Sequence, residues 1–248
     1  MIRINNFRII ARLDIKNEYV IKGIHLEGLR KVGNPYELAC KYYQDGADEI
    51  ILNDTVASLY GRNNLFDVLK KSCEKVFIPI IIGGGLRSLA DVEAALEAGA
   101  DRVFINTGLI KNPKLIIDIT KRYGSQCLSC SIEAKALTSK KWSVYYDCGR
   151  EDSQLDAMEW IKQVQDLGVG EILLTSIDNE GTKNGFEIPL YEAASKVAHI
   201  PIIASGGAGR IEHIISMFKS GLVRGIALAS ILHYNISTIS DIKKELIN

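Results

Sequence analysis

The stretch "PIIIGGGLRS" runs from Pro79 to Ser88, and "PIIASGGAGR" follows from Pro201 to Arg210, 122 residues later. Each stretch begins as an apolar strand and ends in a glycine turn. A second pair of segments repeats with the same spacing, because "GADEIIL" at Gly46 returns as "GVGEILL" at Gly168. An internal repeat of this length predicts two similar halves, residues 1–123 and 124–248.

Short apolar runs alternate along the chain with amphipathic stretches whose apolar residues lie three and four positions apart, as in helices. The eight runs are "FRIIARLD", "DEIILND", "FIPIIIG", "DRVFIN", "LSCSIE", "EILLTS", "IPIIAS" and "RGIALAS". Strands that are apolar on both faces are typical of a parallel sheet covered by helices. The pattern predicts an α/β protein, a single (βα)8 TIM barrel over residues 1–248 built from two (βα)4 halves. A doubly wound open sheet is the alternative, but it does not explain the repeat.

Composition excludes several classes of function. The 30 basic and 30 acidic residues cancel, so no overall positive field attracts nucleic acid. No apolar run is long enough to span a membrane, and we predict a cytoplasmic protein. Five cysteines are an odd number and predict reduced thiols. Cys127 and Cys130 lack a second ligand pair, so we predict no metal site and no cofactor.

In a parallel barrel the reactive groups lie at the carboxyl ends of the strands. Glycines 83–85 follow the third strand and glycines 206–207 the seventh, where missing side chains let backbone N–H groups approach an anion. Small polar groups follow the next strand in each half, namely Asn106, Thr107, Ala229 and Ser230. This arrangement predicts two phosphate sites, one in each half. The alternative is that the glycines only form tight turns.

Asp14 and Glu133 end the first and fifth strands, at equivalent positions of the two halves. Two carboxyls that face one substrate can act as general acid and general base if their pKa values differ. The alternative is that each forms an ion pair with the nearby Lys16 or Lys135. Weaker candidates on the same face are Asp54, Asp178 and Glu180. The four histidines favour surface or supporting positions: His25, His199, His213 and His233.

Two connections exceed the usual length of a βα loop, and both follow the strands that carry these carboxyls. Residues 15–31 are expected to form a lid over the site. Residues 136–152 contain "WSVYY", which predicts a small β-hairpin.

The stretches "RIIARLDIK", "IGGGLRS", "DRVFINT", "GEILLTSID", "EGTKNGF" and "PIIASGGAG" carry a family resemblance. Over essentially its whole length the chain resembles the cyclase subunits of imidazole glycerol phosphate synthase, in the histidine-biosynthesis group of half-barrel-duplicated enzymes. The resemblance implies a reaction in which ammonia from a separate glutaminase attacks the bisphosphate PRFAR. The products would be imidazole glycerol phosphate and the aminoimidazole carboxamide ribotide AICAR.

The resemblance also implies roles for particular residues. Asp14 and Glu133 match the catalytic carboxyls, and Lys22 matches a lysine of the mobile substrate loop. The residues that match phosphate or substrate contacts are Gly85, Asn106, Thr107, Glu180, Gly181, Gly207, Ala229 and Ser230. A ring that gates ammonia at the amino-terminal face of the barrel matches Arg8, Glu49, Arg102 and Glu171, although a structural salt-bridge ring is the alternative. The glutaminase is expected to dock on that face, where Asp101 lies.

Glu133 and Glu180 stand where the family has aspartate, and each extra methylene adds about 1.5 Å of reach. These departures resemble second-copy relatives from surface-glycan gene clusters. The alternative function is therefore an ammonia-delivering subunit for amidation of a nucleotide sugar in lipopolysaccharide or flagellin glycan biosynthesis. A phosphosugar isomerase that needs no ammonia is a third possibility.

Overall fold

A computed structural model describes residues 7–55 and 65–247. The strands within these ranges are β1 (Arg8–Lys16), β2 (Tyr19–Ile24), β3 (Glu27–Gly33), β4 (Glu49–Asp54), β5 (Ile80–Gly83), β6 (Arg102–Ile105), β7 (Leu128–Thr138), β8 (Lys141–Tyr146), β9 (Glu151–Asp156), β10 (Glu171–Ser176), β11 (Ile202–Ser205) and β12 (Gly225–Leu228). Eight of them pair in parallel in the order β1, β4, β5, β6, β7, β10, β11 and β12. Pairing of β12 with β1 closes the ring. The predicted (βα)8 barrel is confirmed, and the open-sheet alternative is wrong.

Helices cover the outside of the barrel. Over the same residues they are α1 (Pro35–Gln44), α2 (Leu65–Cys73), α3 (Leu89–Glu97), α4 (Thr107–Lys111), α5 (Lys114–Tyr123), α6 (Ala157–Asp166), α7 (Ile188–Val197), α8 (Ile211–Ser220), α9 (Ser230–His233) and α10 (Ile239–Ile247). Side-chain caps mark some starts: the Asn34 side chain accepts from the first turn of α1, and Ser88 and Asp91 form a capping box on α3. No helix in the described ranges is both long and apolar enough to cross a membrane.

The core has two layers because successive side chains of a strand point to opposite faces. On β1, Ile9, Ala11 and Leu13 pack in the large cluster between barrel and helices. Ile10 belongs instead to a separate cluster with Ile51, Ile81, Phe104, Leu173, Ile203 and Ala227. This second cluster fills the inside of the barrel and separates its amino-terminal end from its carboxyl-terminal end.

Both long connections are antiparallel β-structure. The first is the hairpin β2–β3, which pairs with the end of β1, so the segment expected to be a lid is an ordered hairpin. The second pairs the end of β7 with β8, and β8 with β9, which confirms the predicted hairpin and adds a third strand to it. Both extensions rise from the strands that carry Asp14 and Glu133.

Candidate active site

Three adjoining cavities lie in a row at the carboxyl-terminal end of the barrel. The first cradle is lined by Gly84, Gly85, Asn106, Thr107, Glu133 and their neighbours. The central cavity is lined by Arg12, Asp14, Lys22, Glu133, Cys148, Arg150 and their neighbours. The second cradle is lined by Lys22, Glu180, Gly181, Gly207, Ala229, Ser230 and their neighbours. Glu133 and Lys22 each belong to two cavities, so the row is continuous.

The first cradle depends on a glycine. Gly84 has φ +91°, and a Cβ there would lie 2.0 Å from the Asp54 carbonyl oxygen, which no side chain tolerates. Asn106 Nδ2 donates to the Tyr145 carbonyl at 3.0 Å, and Thr107 Oγ1 accepts from the Asp147 N–H at 3.0 Å. Asn106 Oδ1 is buried and meets no hydrogen-bond partner among the described residues. The structure thus brings the predicted Gly85, Asn106 and Thr107 around one cavity.

The second cradle is built in the same way. Gly207 has φ +102°, and a Cβ there would lie 1.9 Å from the Gly185 carbonyl oxygen. Within the part of the chain that the structure describes, the buried Ser230 hydroxyl has no partner. Lys22 reaches in from β2 and forms a buried ion pair with Glu180. The residues predicted here from the resemblance therefore lie together, but two of them bind each other.

Asp14 lies at the buried end of β1, with 6% of its surface exposed. Its Oδ1 accepts from Asn53 Nδ2 at 2.8 Å and from Arg12 Nε at 3.0 Å. Burial acts to raise the pKa of Asp14, but the charges of Arg12 and Lys22 and these hydrogen bonds hold the pKa below its ordinary value. The alternative that Asp14 pairs with Lys16 is wrong, because Lys16 is exposed and Arg12 is the partner.

Glu133 is 7% exposed and faces Asp14 across the central cavity. Burial raises the pKa of Glu133 to about 7, against the attraction of Arg12 and a hydrogen bond from the Gly149 backbone. Its Oε2 is buried without a partner in the described ranges. Lys135 is exposed and lies over the Tyr145 ring, so it does not neutralise Glu133. The two carboxyl pKa values are therefore displaced in opposite directions.

Sequence reasoning missed Arg12, which lies between the two carboxyls. The sequence did contain a signal for Arg12, because this charged residue interrupts an apolar strand. It stands two positions before Asp14, so both side chains lie on the same face of the strand. Asn53, Cys148 and Arg150 also line the central cavity and were missed. Nothing local in the sequence marks them, because they come from a neighbouring strand and from a distant hairpin connection.

The remaining candidates have supporting positions. The Asp178 carboxylate accepts from the Ala136 N–H at 2.8 Å, and His25 Nδ1 lies 3.0 Å from the Ile177 carbonyl oxygen. Asp54 lines the first cradle. His233 is buried, with its Nδ1 2.7 Å from the Tyr42 hydroxyl.

Four charged residues close a ring at the opposite, amino-terminal end of the barrel. Arg8 contacts Glu49 at 2.9 Å and also Glu171, while Arg102 contacts Glu49 at 2.6 Å and Glu171 at 3.1 Å. The four predicted gate residues thus lie together with alternating sign. Asp101, beside them, is exposed, and its Oδ2 accepts from the Ile80 N–H at 2.8 Å.

Comparison with known proteins identifies relatives along most of the chain. The protein family described as "Histidine biosynthesis protein" matches residues 8–238. The chain is 56% identical over 208 residues to the imidazole glycerol phosphate synthase subunit HisF of Legionella pneumophila, which covers 84% of this chain and 98% of that relative. It is 46% identical over 241 residues to the subunit of the same name from Bacillus cereus strain Q1, which covers 97% of this chain and 96% of that relative.

Proposed function

Because this chain belongs to the histidine biosynthesis protein family, we propose that it is the cyclase subunit of an imidazole glycerol phosphate synthase. In this role it is a lyase-type enzyme that combines ammonia with PRFAR and forms imidazole glycerol phosphate, AICAR and water. No comparison favours the surface-glycan alternative.

The observation that carries the proposal is the row of three cavities. A cradle of glycine turns and small polar groups lies at each end, and a pair of buried carboxyls lies between them. This shape fits an extended molecule with a phosphate at each end and its reacting atoms in the middle. Arg87 lines the first cradle and Lys22 the second, so each phosphate has a cation nearby.

Asp14 and Glu133 act as the general acid and general base in this proposal. Proton transfer by a positioned carboxyl typically accelerates a reaction about 10² to 10⁴-fold. One carboxyl must be ionised and the other protonated for the pair to divide the work, and the opposite pKa shifts of Asp14 and Glu133 support this division.

We further propose that ammonia enters through the ring of Arg8, Glu49, Arg102 and Glu171. The ring residues neutralise each other, and the apolar layer inside the barrel lies beyond them. A neutral ammonia molecule crosses an apolar layer at far lower cost than an ammonium ion. The ammonia source in this proposal is a glutaminase subunit bound to the same face in the cytoplasm. The relatives are named as subunits of imidazole glycerol phosphate synthase, which fits a second subunit of this kind.

The proposal is tested by turnover of PRFAR with an ammonium salt as the nitrogen source. Asp14→Asn and Glu133→Gln should each lose about 10² to 10⁴ in rate. Binding of PRFAR, measured by calorimetry, should survive because the phosphates are held in the cradles. Glu133→Asp is the matched control and should stay active, because it keeps the carboxyl. A wild-type chain that stimulates a glutaminase but never converts PRFAR would contradict the cyclase proposal.

A further inference from the structure

Arg12 occupies the axis of the barrel between the apolar layer and the carboxyls. Arg8, Ile10, Arg12 and Asp14 hold alternate positions of β1 and therefore share its inward face. Arg12 is 3% exposed and lines the central cavity. Burying a guanidinium this deeply has an unfavourable desolvation free energy unless opposite charges and hydrogen bonds compensate it.

The guanidinium is held from both halves of the barrel. Arg12 Nε donates to Asp14 Oδ1 at 3.0 Å, and Nη1 donates to Thr175 Oγ1 at 3.2 Å and to Ser205 Oγ at 3.3 Å. Because the guanidinium is planar, these bonds to β1, β10 and β11 fix its orientation. All three hydrogen-bond partners lie on barrel strands, so the position of the guanidinium does not depend on a loop.

The two carboxyls differ in their hydrogen-bond and ion-pair partners. Arg12 forms a hydrogen-bonded ion pair with Asp14, whereas Glu133 keeps a buried Oε2 with no partner in the described part of the chain. An ionised carboxylate needs donors, while a protonated carboxyl has an O–H of its own to donate. Asp14 therefore has the surroundings of a base, and Glu133 those of an acid.

We infer that Arg12 is a positioning residue that makes Asp14 the general base and leaves Glu133 as the general acid. The inference rests on the proposed function and deepens it. Asp14 accepts a proton from the ammonia nitrogen as this nitrogen bonds the carbonyl carbon of PRFAR, whose oxygen leaves as water. Glu133 then donates a proton to the AICAR nitrogen as the C–N bond that ring closure replaces breaks. Return of the proton from Asp14 and reprotonation of Glu133 through solvent restore the pair, so the protons balance over one turnover.

Other ionisable groups face Asp14 and Glu133, and their contributions to the pH profile must be distinguished from those of the two carboxyls. Lys22, Cys148 and Arg150 line the central cavity, Asp54 lines the first cradle, and Glu180 and His233 lie beyond Lys22. Burial raises the pKa of Cys148 to about 12 and lowers that of Lys22 to about 8. Of Cys148, Lys22 and His233, Lys22 has the pKa nearest to that of Glu133, so Lys22→Arg, which keeps the charge without titrating, identifies any contribution of Lys22.

The test is the pH profile of kcat with ammonium salt, at constant free ammonia and saturating PRFAR. Wild type should lose activity as pH rises through about 7, where Glu133 loses its proton. Arg12→Gln should move both limbs of the profile toward higher pH by about one unit or more, because the lost cation lowered both carboxyl pKa values. The plateau value of its kcat should fall roughly 10 to 100-fold, because the carboxyls lose the guanidinium that orients Asp14.

Two further variants separate positioning from a structural role. Arg12→Lys keeps the cation but loses the planar fork, so kcat should fall while the limbs stay near those of wild type. Thr175→Val removes a bond to Nη1 and should lower kcat without moving the limbs. Unshifted limbs in Arg12→Gln would overturn the inference. If Arg12→Gln does not fold, an Arg12→Lys variant with wild-type kcat would overturn it instead.

A second readout does not depend on turnover. Carbon-13 NMR titration of the Asp14 and Glu133 carboxyls in wild type and Arg12→Gln measures the separation of the two pKa values directly. A rise in both pKa values in the variant, larger for Asp14 because only Asp14 is hydrogen-bonded to Arg12, supports the role of Arg12, and an unchanged Asp14 pKa overturns it. A wild type with separated carboxyls but no PRFAR turnover would contradict the proposed function and leave the electrostatic role of Arg12 standing.

Discussion

Several buried charges of this barrel form ion pairs, at both of its ends. Arg12 and Asp14 pair at the centre of the carboxyl-terminal end, Lys22 and Glu180 pair beside the second cradle, and the four-residue ring closes the amino-terminal end. Removing one member of such a pair leaves a buried charge without compensation, which is more damaging than removing both. At the residue scale, substitutions in these groups therefore need matched controls.

His233 makes stability depend on pH. Burial, together with the charge of Lys22, lowers the pKa of His233 to about 4. Its stabilising contribution is complete above the ordinary pKa of about 6.5 and is lost as pH falls through about 4. We expect the difference in unfolding free energy between wild type and His233→Gln to shrink by about 3 kcal/mol from pH 7 to pH 4.

Urea unfolding of both proteins across that pH range measures this difference, and the opposite contribution of Glu133 cancels in the comparison. Tyr42→Phe is the control, because it removes the hydroxyl next to Nδ1 but keeps the titrating ring. A wild-type–variant difference that does not change with pH would contradict the buried neutral state of His233.

At the scale of elements, the hairpin β2–β3 packs on the loop that follows β10. The His25 N–H donates to the Glu180 carbonyl at 2.8 Å, its Nδ1 lies near the Ile177 carbonyl, and Lys22 pairs with Glu180. Gly181 allows this approach, because a Cβ there would lie 2.2 Å from the Gly23 carbonyl oxygen. The hairpin thus covers the second cradle through backbone contacts as well as one ion pair.

Gly181→Ala should displace the hairpin and expose Lys22. The matched control is Gly28→Ala, which also has positive φ, at +63°, but whose added Cβ meets no described atom within 4 Å. Both variants carry a left-handed strain of about 1 kcal/mol. Only Gly181→Ala should show fast trypsin cleavage after Lys22 and a raised KM for PRFAR. Equal cleavage rates in the two variants would show that Gly181 does not hold the hairpin.

At the scale of the whole molecule, the two ends of the barrel have different tasks in the proposed function. The carboxyl-terminal end carries the cavities, and the amino-terminal end carries the charged ring and the exposed Asp101. The Asp101 side chain also bonds the first amide of β5, so a substitution there changes a surface charge and a structural contact together.

We predict that Asp101→Lys weakens binding of the glutaminase about tenfold or more, because it reverses a charge on the proposed docking face. Asp101→Asn keeps an oxygen that can accept from Ile80, so it isolates the effect of charge and should weaken binding less. Calorimetric Kd values at low and high salt, with ammonium-dependent turnover as the reference, test this. Wild-type affinity in both variants would exclude Asp101 from the interface.

The sequence alone was sufficient for the barrel and for much of the site. The repeated strand and glycine turn at Pro79 and Pro201 predicted eight βα units, because helix and strand periodicities are local properties of the chain. Position at the end of a strand was enough to bring Asp14 and Glu133 to one face, because parallel strands in a barrel end on the same side. The glycine turns followed from the same rule.

Only the tertiary structure decided which charged groups meet and what their ionisation becomes. Arg12 bonds Thr175 and Ser205, and Lys22 pairs with Glu180, across separations of more than 150 residues that no local pattern encodes. The opposite pKa shifts of Asp14 and Glu133 depend on burial and on the distance of each carboxyl from one guanidinium. Electrostatic energy varies with separation and with exclusion of water, and both are set by the closed barrel and its two hairpins rather than by the order of residues.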